Sequence, residues 1–264
     1  PSGDDMSSIT NRYALANGIK LHYKEYSTSG RPILFVHGIT SSNNSWGCIP
    51  TEFIQNNHVL SLDLRGHGLS ERPDSGYSWR EDYAEDISDL ISTLLNESTV
   101  LIGHSLGASV SAAVAEKFPD LVRALILEDP PAFAHDDLKG IQCRFSETIA
   151  TKRLKPWDRV NYLMEDMGIS HENAEIRSKN LEMMSEDVIL ELLKGGSTYD
   201  AKTVFPKISC PTLVILGDPV LGGVVDLASR DLLVSLLPKS KILEWTGVGH
   251  GIHLDKPEKF LSEV

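Results

Sequence analysis

The reading of this chain turns on Thr99-Val100-Leu101-Ile102-Gly103-His104-Ser105-Leu106-Gly107-Ala108-Ser109-Val110-Ser111-Ala112-Ala113-Val114-Ala115. The first four residues are β-prone and apolar, and the last eight are small and helix-compatible. Between them lies a G-x-S-x-G motif, weak alone but informative where a strand turns into a helix. Such a turn forces the serine backbone into a strained conformation and lifts its hydroxyl clear of the sheet. Glycines two positions to either side leave room for neighbouring backbone to pass. The stretch predicts a nucleophile elbow with Ser105 at its tip.

Outward from the elbow, short apolar runs alternate with helical patterns, which predicts an α/β fold with a mostly parallel central sheet and helices on both faces. Strands are expected at 32–36, 59–62, 99–102, 125–127, 211–216 and 241–245. The segment 19–26 alternates residue types and ends at a Ser-Gly turn, as an early hairpin would. Apolar residues at helical spacing (Tyr83, Ile87, Leu90, Ile91, Leu94) predict a helix over 80–95, with a solvated acidic face. Further helices follow the elbow at 106–117 and lie near 226–237.

From 132 to 199 the strand pattern stops, and helices are expected around 138–153, 157–167, 171–183 and 185–194. The predicted organisation is therefore a core of 1–131 and 200–264 with 132–199 inserted as a helical cap. Such an insert lies over the carboxyl-end crevice where open α/β sheets bind ligands, so a lid is expected. Met164, Met167, Met183 and Met184, with Trp157 and Tyr162, either line an adaptable acyl pocket or pack the lid onto the core.

The chain has 264 residues, is 41% hydrophobic and 23% charged, and carries a formal net charge of −12. That balance is globular, and it argues against a nucleic-acid or anionic membrane partner, because no basic cluster stands ready to neutralise phosphates. No apolar run approaches the roughly 18 residues of a membrane span. Pro1 to Asp5 precede the first methionine, Met6, and read as an expression remnant or the tail of a longer product. The last residues read as helix, which implies a few more beyond them. Cys48, Cys143 and Cys210 suggest neither a disulfide framework nor a zinc site, and point to a reducing, cytoplasmic setting.

A serine hydroxyl needs a base within hydrogen-bond reach to act at neutral pH. Among nine histidines, His250 is best placed: it follows the last strand in the flexible loop Gly247-Val248-Gly249-His250-Gly251. His253 is the substitute. No cofactor is expected: the G-x-G-x-x-G-like candidates lack a strand–turn–helix context, and no two-His-plus-acid cluster has metal-ligand spacing.

Five pieces together resemble the α/β-hydrolase superfamily over nearly the whole length. They are Phe35-Val36-His37-Gly38, Asp63-Leu64-Arg65-Gly66-His67-Gly68-Leu69-Ser70, the elbow, Pro211-Thr212-Leu213-Val214-Ile215-Leu216-Gly217, and Gly249-His250. The resemblance implies the α/β-hydrolase fold, the order serine, acid, histidine, and an oxyanion hole of two backbone amides. One amide is that of Leu106. The other is that of Ile39, with Thr40 behind it. His37, His67 and His104 are read as structural. The acid departs from the pattern, since Val220 occupies its usual place after the strand ending at Gly217. Asp129, at the end of the preceding strand, is the leading candidate. Asp218, Glu128 and Asp226 remain open. Side chains alternate along a strand, so Glu128 and Asp129 should face opposite ways, and one of them serves.

The expected function is hydrolysis of a small-molecule carboxylic ester or lactone through an acyl-enzyme, by a monomer or homodimer. A serine at position 105 excludes the dehalogenase and epoxide-hydrolase chemistries of the superfamily, which need a carboxylate nucleophile. Carbon–carbon bond hydrolysis, a cofactor-free perhydrolase and a low-turnover ligand receptor on the same scaffold stay open.

Overall fold

The structure, a computed structural model, describes residues 9–131, 138–168, 170–194 and 200–264. Eight strands form one sheet: β1 (Thr10–Ala16), β2 (Ile19–Glu25), β3 (Arg31–Val36), β4 (Asn57–Leu62), β5 (Thr99–His104), β6 (Val122–Glu128), β7 (Thr212–Leu216) and β8 (Lys241–Glu244). Their order is β1-β2-β4-β3-β5-β6-β7-β8. β1 and β2 pair antiparallel with each other, as do β2 and β4, and every pair from β4 to β8 is parallel. This is the mostly parallel, helix-flanked sheet that the sequence pattern and the resemblance implied.

The hairpin differs from the expectation in one respect. β2 turns into β1, upstream, through Asn17-Gly18, while its other neighbour is β4. Asn17 has φ 50° and Gly18 φ 74°, the pair of left-handed residues that a tight two-residue hairpin turn requires. The Ser29-Gly30 turn instead leads into β3, which is two places away from β2 in the sheet.

The helices are α1 (Ala84–Leu90), α2 (Leu106–Lys117), α3 (Leu138–Arg153), α4 (Pro156–Glu165), α5 (His171–Glu182), α6 (Asp187–Leu193), α7 (Ala201–Val204), α8 (Leu227–Leu236), α9 (Ile252–Asp255) and α10 (Pro257–Glu263). The core lies on both sides of the sheet. On one side, Tyr83 just before α1, with Ile87 and Leu90 of α1 and Val110 and Val114 of α2, is buried against Leu34, Leu60, Leu101 and Leu127. On the other, Phe35, Val59, Ile102 and Ile215 meet Trp46, Trp245, Ile252 and Phe260. Alternate residues of single strands, such as Leu34 and Phe35, enter opposite clusters, as the pleat demands.

Between β6 and β7 the described residues form α3 to α7 and no strand, and α3 to α6 match the four expected helices closely. The expected insertion boundaries at 132 and 199, like the segment Pro1 to Asp5, lie outside the described residues. Met184 is buried in the core, whereas Trp157 and Met167 are exposed. Among the described residues no helix is long and apolar enough to cross a membrane.

Candidate active site

Ser105 sits between the end of β5 and the first residue of α2, with φ 53° and ψ −118°. A positive φ is costly for a residue with a Cβ and is held only where the surroundings over-determine it. Here the surroundings do so. The Ser105 amide donates to the Glu128 carbonyl at 2.9 Å, and its carbonyl accepts from Ala108 and Ser109 at 3.0 and 3.1 Å. The flanking glycines are obligatory. A Cβ on Gly103 would lie 2.4 Å from the Gly107 carbonyl oxygen, and one on Gly107 only 2.1 Å from that of Val36. Leu106 is the first residue of α2, so its amide is among the four that a helix leaves without an internal acceptor.

Asp129 follows β6 directly and also has a positive φ, 43°. It is fully buried, and its carboxylate accepts three hydrogen bonds. The amides of Gly217 and Val224 donate at 3.2 and 2.9 Å, and His250 Nδ1 donates at 2.6 Å. With Nδ1 carrying the proton, His250 keeps Nε2 as an acceptor. The imidazole is 31% exposed beside a sealed carboxylate, so a reactant can reach the ring but not the acid.

Of the carboxylates weighed from sequence, Asp129 is thus the one bonded to His250. Asp218 spends its two oxygens on the amides of Val220 and Gly247, at 3.0 Å each, and stiffens the turn after β7. Asp226 caps α8, accepting from Ser229 at 2.8 Å. Glu128 faces away from Asp129, as alternation required, and takes a different histidine. His253 Nδ1 lies 2.7 Å from its carboxylate, and the His253 amide donates to it at 2.9 Å. His253 is therefore no substitute for His250. It is a buried partner of Glu128, stacked on Trp46 at 4.3 Å between ring centroids.

The three remaining histidines near the elbow hold backbone. His104 Nε2 donates to the His250 carbonyl at 3.0 Å, and the two rings are 4.6 Å apart. This tie, which motif reading missed, brings the His250 loop alongside the residue preceding Ser105. His37 Nδ1 donates to the Gly38 carbonyl at 2.7 Å, and its Nε2 accepts from the Leu64 amide at 3.1 Å. His67 Nε2 donates to the Ile39 carbonyl at 2.5 Å. Burial drives His37 and His104 to pKa values of about 3, and lowers that of His67. The rings of His37 and His104 therefore stay neutral, and all three act as fixed struts.

The struts define the loop after β3, which carries Ile39 and Thr40. A Cβ on Gly38 would come within 3.3 Å of the Ser105 Cβ, so this loop passes directly against the elbow. Among the described residues no group of three or more His, Cys, Asp or Glu is arranged to hold a metal ion. What an accessible imidazole oriented by a buried carboxylate can do chemically is take a proton from a hydroxyl within its reach.

The chain is 40% identical over 245 residues to 2-(acetamidomethylene)succinate hydrolase of Mesorhizobium japonicum, covering 89% of this chain and 87% of that one. It is 28% identical over 261 residues to N-formylmaleamate deformylase of Pseudomonas putida, covering 94% and 92%. A crystal structure of E-2-(acetamidomethylene)succinate hydrolase superposes with a TM-score of 0.83 at 27% identity, covering 97% of each chain. The model of the alpha/beta hydrolase family matches residues 33–263. This chain belongs to the alpha/beta hydrolase family.

Proposed function

We propose that this protein is a serine hydrolase that cleaves a small carboxylic ester or lactone through an acyl-enzyme. The single observation that carries the reading is the 2.6 Å bond from His250 Nδ1 to the fully buried Asp129. It orients an accessible imidazole whose loop His104 ties to the elbow. In this reading His250 Nε2 takes the Ser105 proton as Oγ attacks the acyl carbon. The amides of Leu106 and Ile39 receive the oxyanion, each worth roughly 2.7–4 kcal/mol to the transition state. The leaving alcohol departs with the proton from His250. Water then attacks the acyl-enzyme, His250 taking its proton and returning one to Ser105. Asp129 keeps the tautomer and stabilises the imidazolium without itself accepting the proton.

Helices α3 to α6 are read as a cap over this centre, the 132–199 insertion. Three free cysteines (Cys48, Cys143 and Cys210) support a reducing, cytoplasmic setting.

A second reading is favoured by the relatives, whose names specify an acetamido and an N-formyl compound. The bond cleaved is then an amide, and His250 must protonate a poorer leaving group, with the same residues in the same roles. Steady-state hydrolysis of 4-nitrophenyl butyrate tests the shared mechanism: Ser105→Ala should lower kcat by about a millionfold. Retention of more than a small fraction of activity refutes it. Comparing an ester with the anilide of the same acyl group separates the two readings.

A further inference from the structure

The arginines of this chain mostly face acids or carbonyls. Arg65 is paired with Asp86, Arg80 with Glu116, Arg153 with Glu186 and Arg230 with Glu244. Arg159, buried in α4, gives its guanidinium to the carbonyls of Ser178 and Leu154 at 2.6 and 2.9 Å. Arg177 is different. It is half-buried on α5, and among the described residues no carboxylate or carbonyl receives it. Burial alone acts on its guanidinium, pulling the pKa below an arginine's ordinary value, and no opposite charge restores it. A cation removed from water without a counter-charge or hydrogen-bond acceptor is costly, and the cost is recovered when an anion arrives.

The placement of Arg177 says where that anion comes from. It lies three residues before Asn180 and four before Leu181, so it shares their face of α5. Both are buried, as is Ala174 one turn earlier. That face is fastened to the loop after β3: the Ser42 hydroxyl donates to Asn180 Oδ1 at 2.9 Å. The same loop begins at Gly38, against the Ser105 side chain. Arg177 therefore stands on the face of α5 that Asn180 fastens to the loop after β3, in a chain whose net charge of −12 otherwise repels anions.

We propose that Arg177 is a specificity-determining residue that binds a carboxylate of the substrate, so that the molecules hydrolysed are acyl compounds bearing a free carboxylate. The proposal rests on the hydrolase reading for its substrate, but its binding step is independent of turnover. A guanidinium accepts a carboxylate in a two-pronged, planar geometry that an ammonium cannot reproduce.

The first test is calorimetric titration of the wild-type protein with succinate and with its neutral analogue succinamide. Succinate should bind at least tenfold more tightly. Arg177→Met should abolish that preference, and Arg177→Lys should restore part of it. Equal affinity for the two compounds in the wild type overturns the proposal even if the variants fail to fold. Undiminished succinate affinity in a folded Arg177→Met protein overturns it as well. The second test is the ratio of kcat/KM for 4-nitrophenyl hemisuccinate over 4-nitrophenyl butyrate, which should fall at least tenfold in Arg177→Met, chiefly through KM. An unchanged ratio counts against Arg177. Should neither ester be hydrolysed, the failure belongs to the hydrolase reading, and the titrations still decide the role of Arg177.

Discussion

Two histidine–carboxylate pairs stand side by side in this molecule, built from consecutive residues. Glu128 ends β6 and Asp129 follows it, and His250 and His253 lie three residues apart in the C-terminal segment. Bond lengths barely separate the pairs, at 2.7 and 2.6 Å. Access does. His253 is 1% exposed and Glu128 not at all, whereas His250 is 31% exposed over an equally sealed Asp129. A histidine with a carboxylate is thus no signature of catalysis. One pair is a buried strut between the sheet, Trp46 and the Ser45 carbonyl. The other leaves a ring nitrogen open to solvent, on a loop that His104 ties to the residue before the strained serine. The strain itself marks the same side, because Asp129 and Ser105 both carry positive φ and Glu128 does not.

Mutation should split the pairs cleanly. His250→Ala is expected to lower kcat by about a millionfold while leaving the folded protein nearly as stable, since the vacated space is open to water. Asp129→Asn should cost about ten-thousandfold in kcat, because an amide at that position presents a donor and favours the wrong tautomer. Steady-state rates and thermal melts on the same preparations check both. His253→Ala should behave oppositely. It leaves Glu128 charged, buried and unpaired, and should lower unfolding free energy by about 3–5 kcal/mol in urea titrations. Its kcat, measured well below the melting temperature, should change far less than that of His250→Ala. A His253→Ala protein that is stable but inactive would reverse the two assignments.

Acid sensitivity sharpens the contrast at smaller amplitude. Burial holds His37 and His104 to pKa values of about 3 against an ordinary 6.5. The unfolded chain therefore binds protons in that interval which the folded chain refuses, so stability is complete above about pH 6.5 and drains away as pH falls toward 3. The urea midpoint should decline steadily from pH 7 to pH 4, and His37→Gln should lessen the slope. Glu128, whose carboxyl is held below its ordinary range chiefly by His253 working against burial, adds its own loss only below about pH 4.5. Smallest of all is Asp218→Asn. It disturbs a turn after β7 and should cost about 1 kcal/mol without the kinetic loss of Asp129→Asn.

Much of this was legible in the residues, and what was not has physical causes. The elbow declares itself because strand, glycines and small-residue helix are local and contiguous. β5 to β8 and the four inserted helices follow from periodicity alone. β1 escaped because it is an edge strand, mostly exposed, and carries little alternation. Its turn, Asn17-Gly18, was the local signal that could have found it. The alternation rule correctly turned Glu128 and Asp129 apart. It could not supply His253 as the partner of Glu128, since that contact spans 125 positions and exists only once the sheet is assembled. His104 and Arg177 show the same limit: one acts through a backbone carbonyl 146 positions away, and the other is informative because it has no partner among the described residues.

The central claim is that Asp129 and His250 activate Ser105. Intact-mass analysis after exposure to a fluorophosphonate tests it most directly, because the reagent needs the activated hydroxyl and no knowledge of the natural substrate. A single adduct should form, map to Ser105, vanish in Ser105→Ala and slow by at least a thousandfold in His250→Ala and Asp129→Asn. Labelling of Asp129→Asn at the wild-type rate, or an adduct on any other residue, would contradict the account.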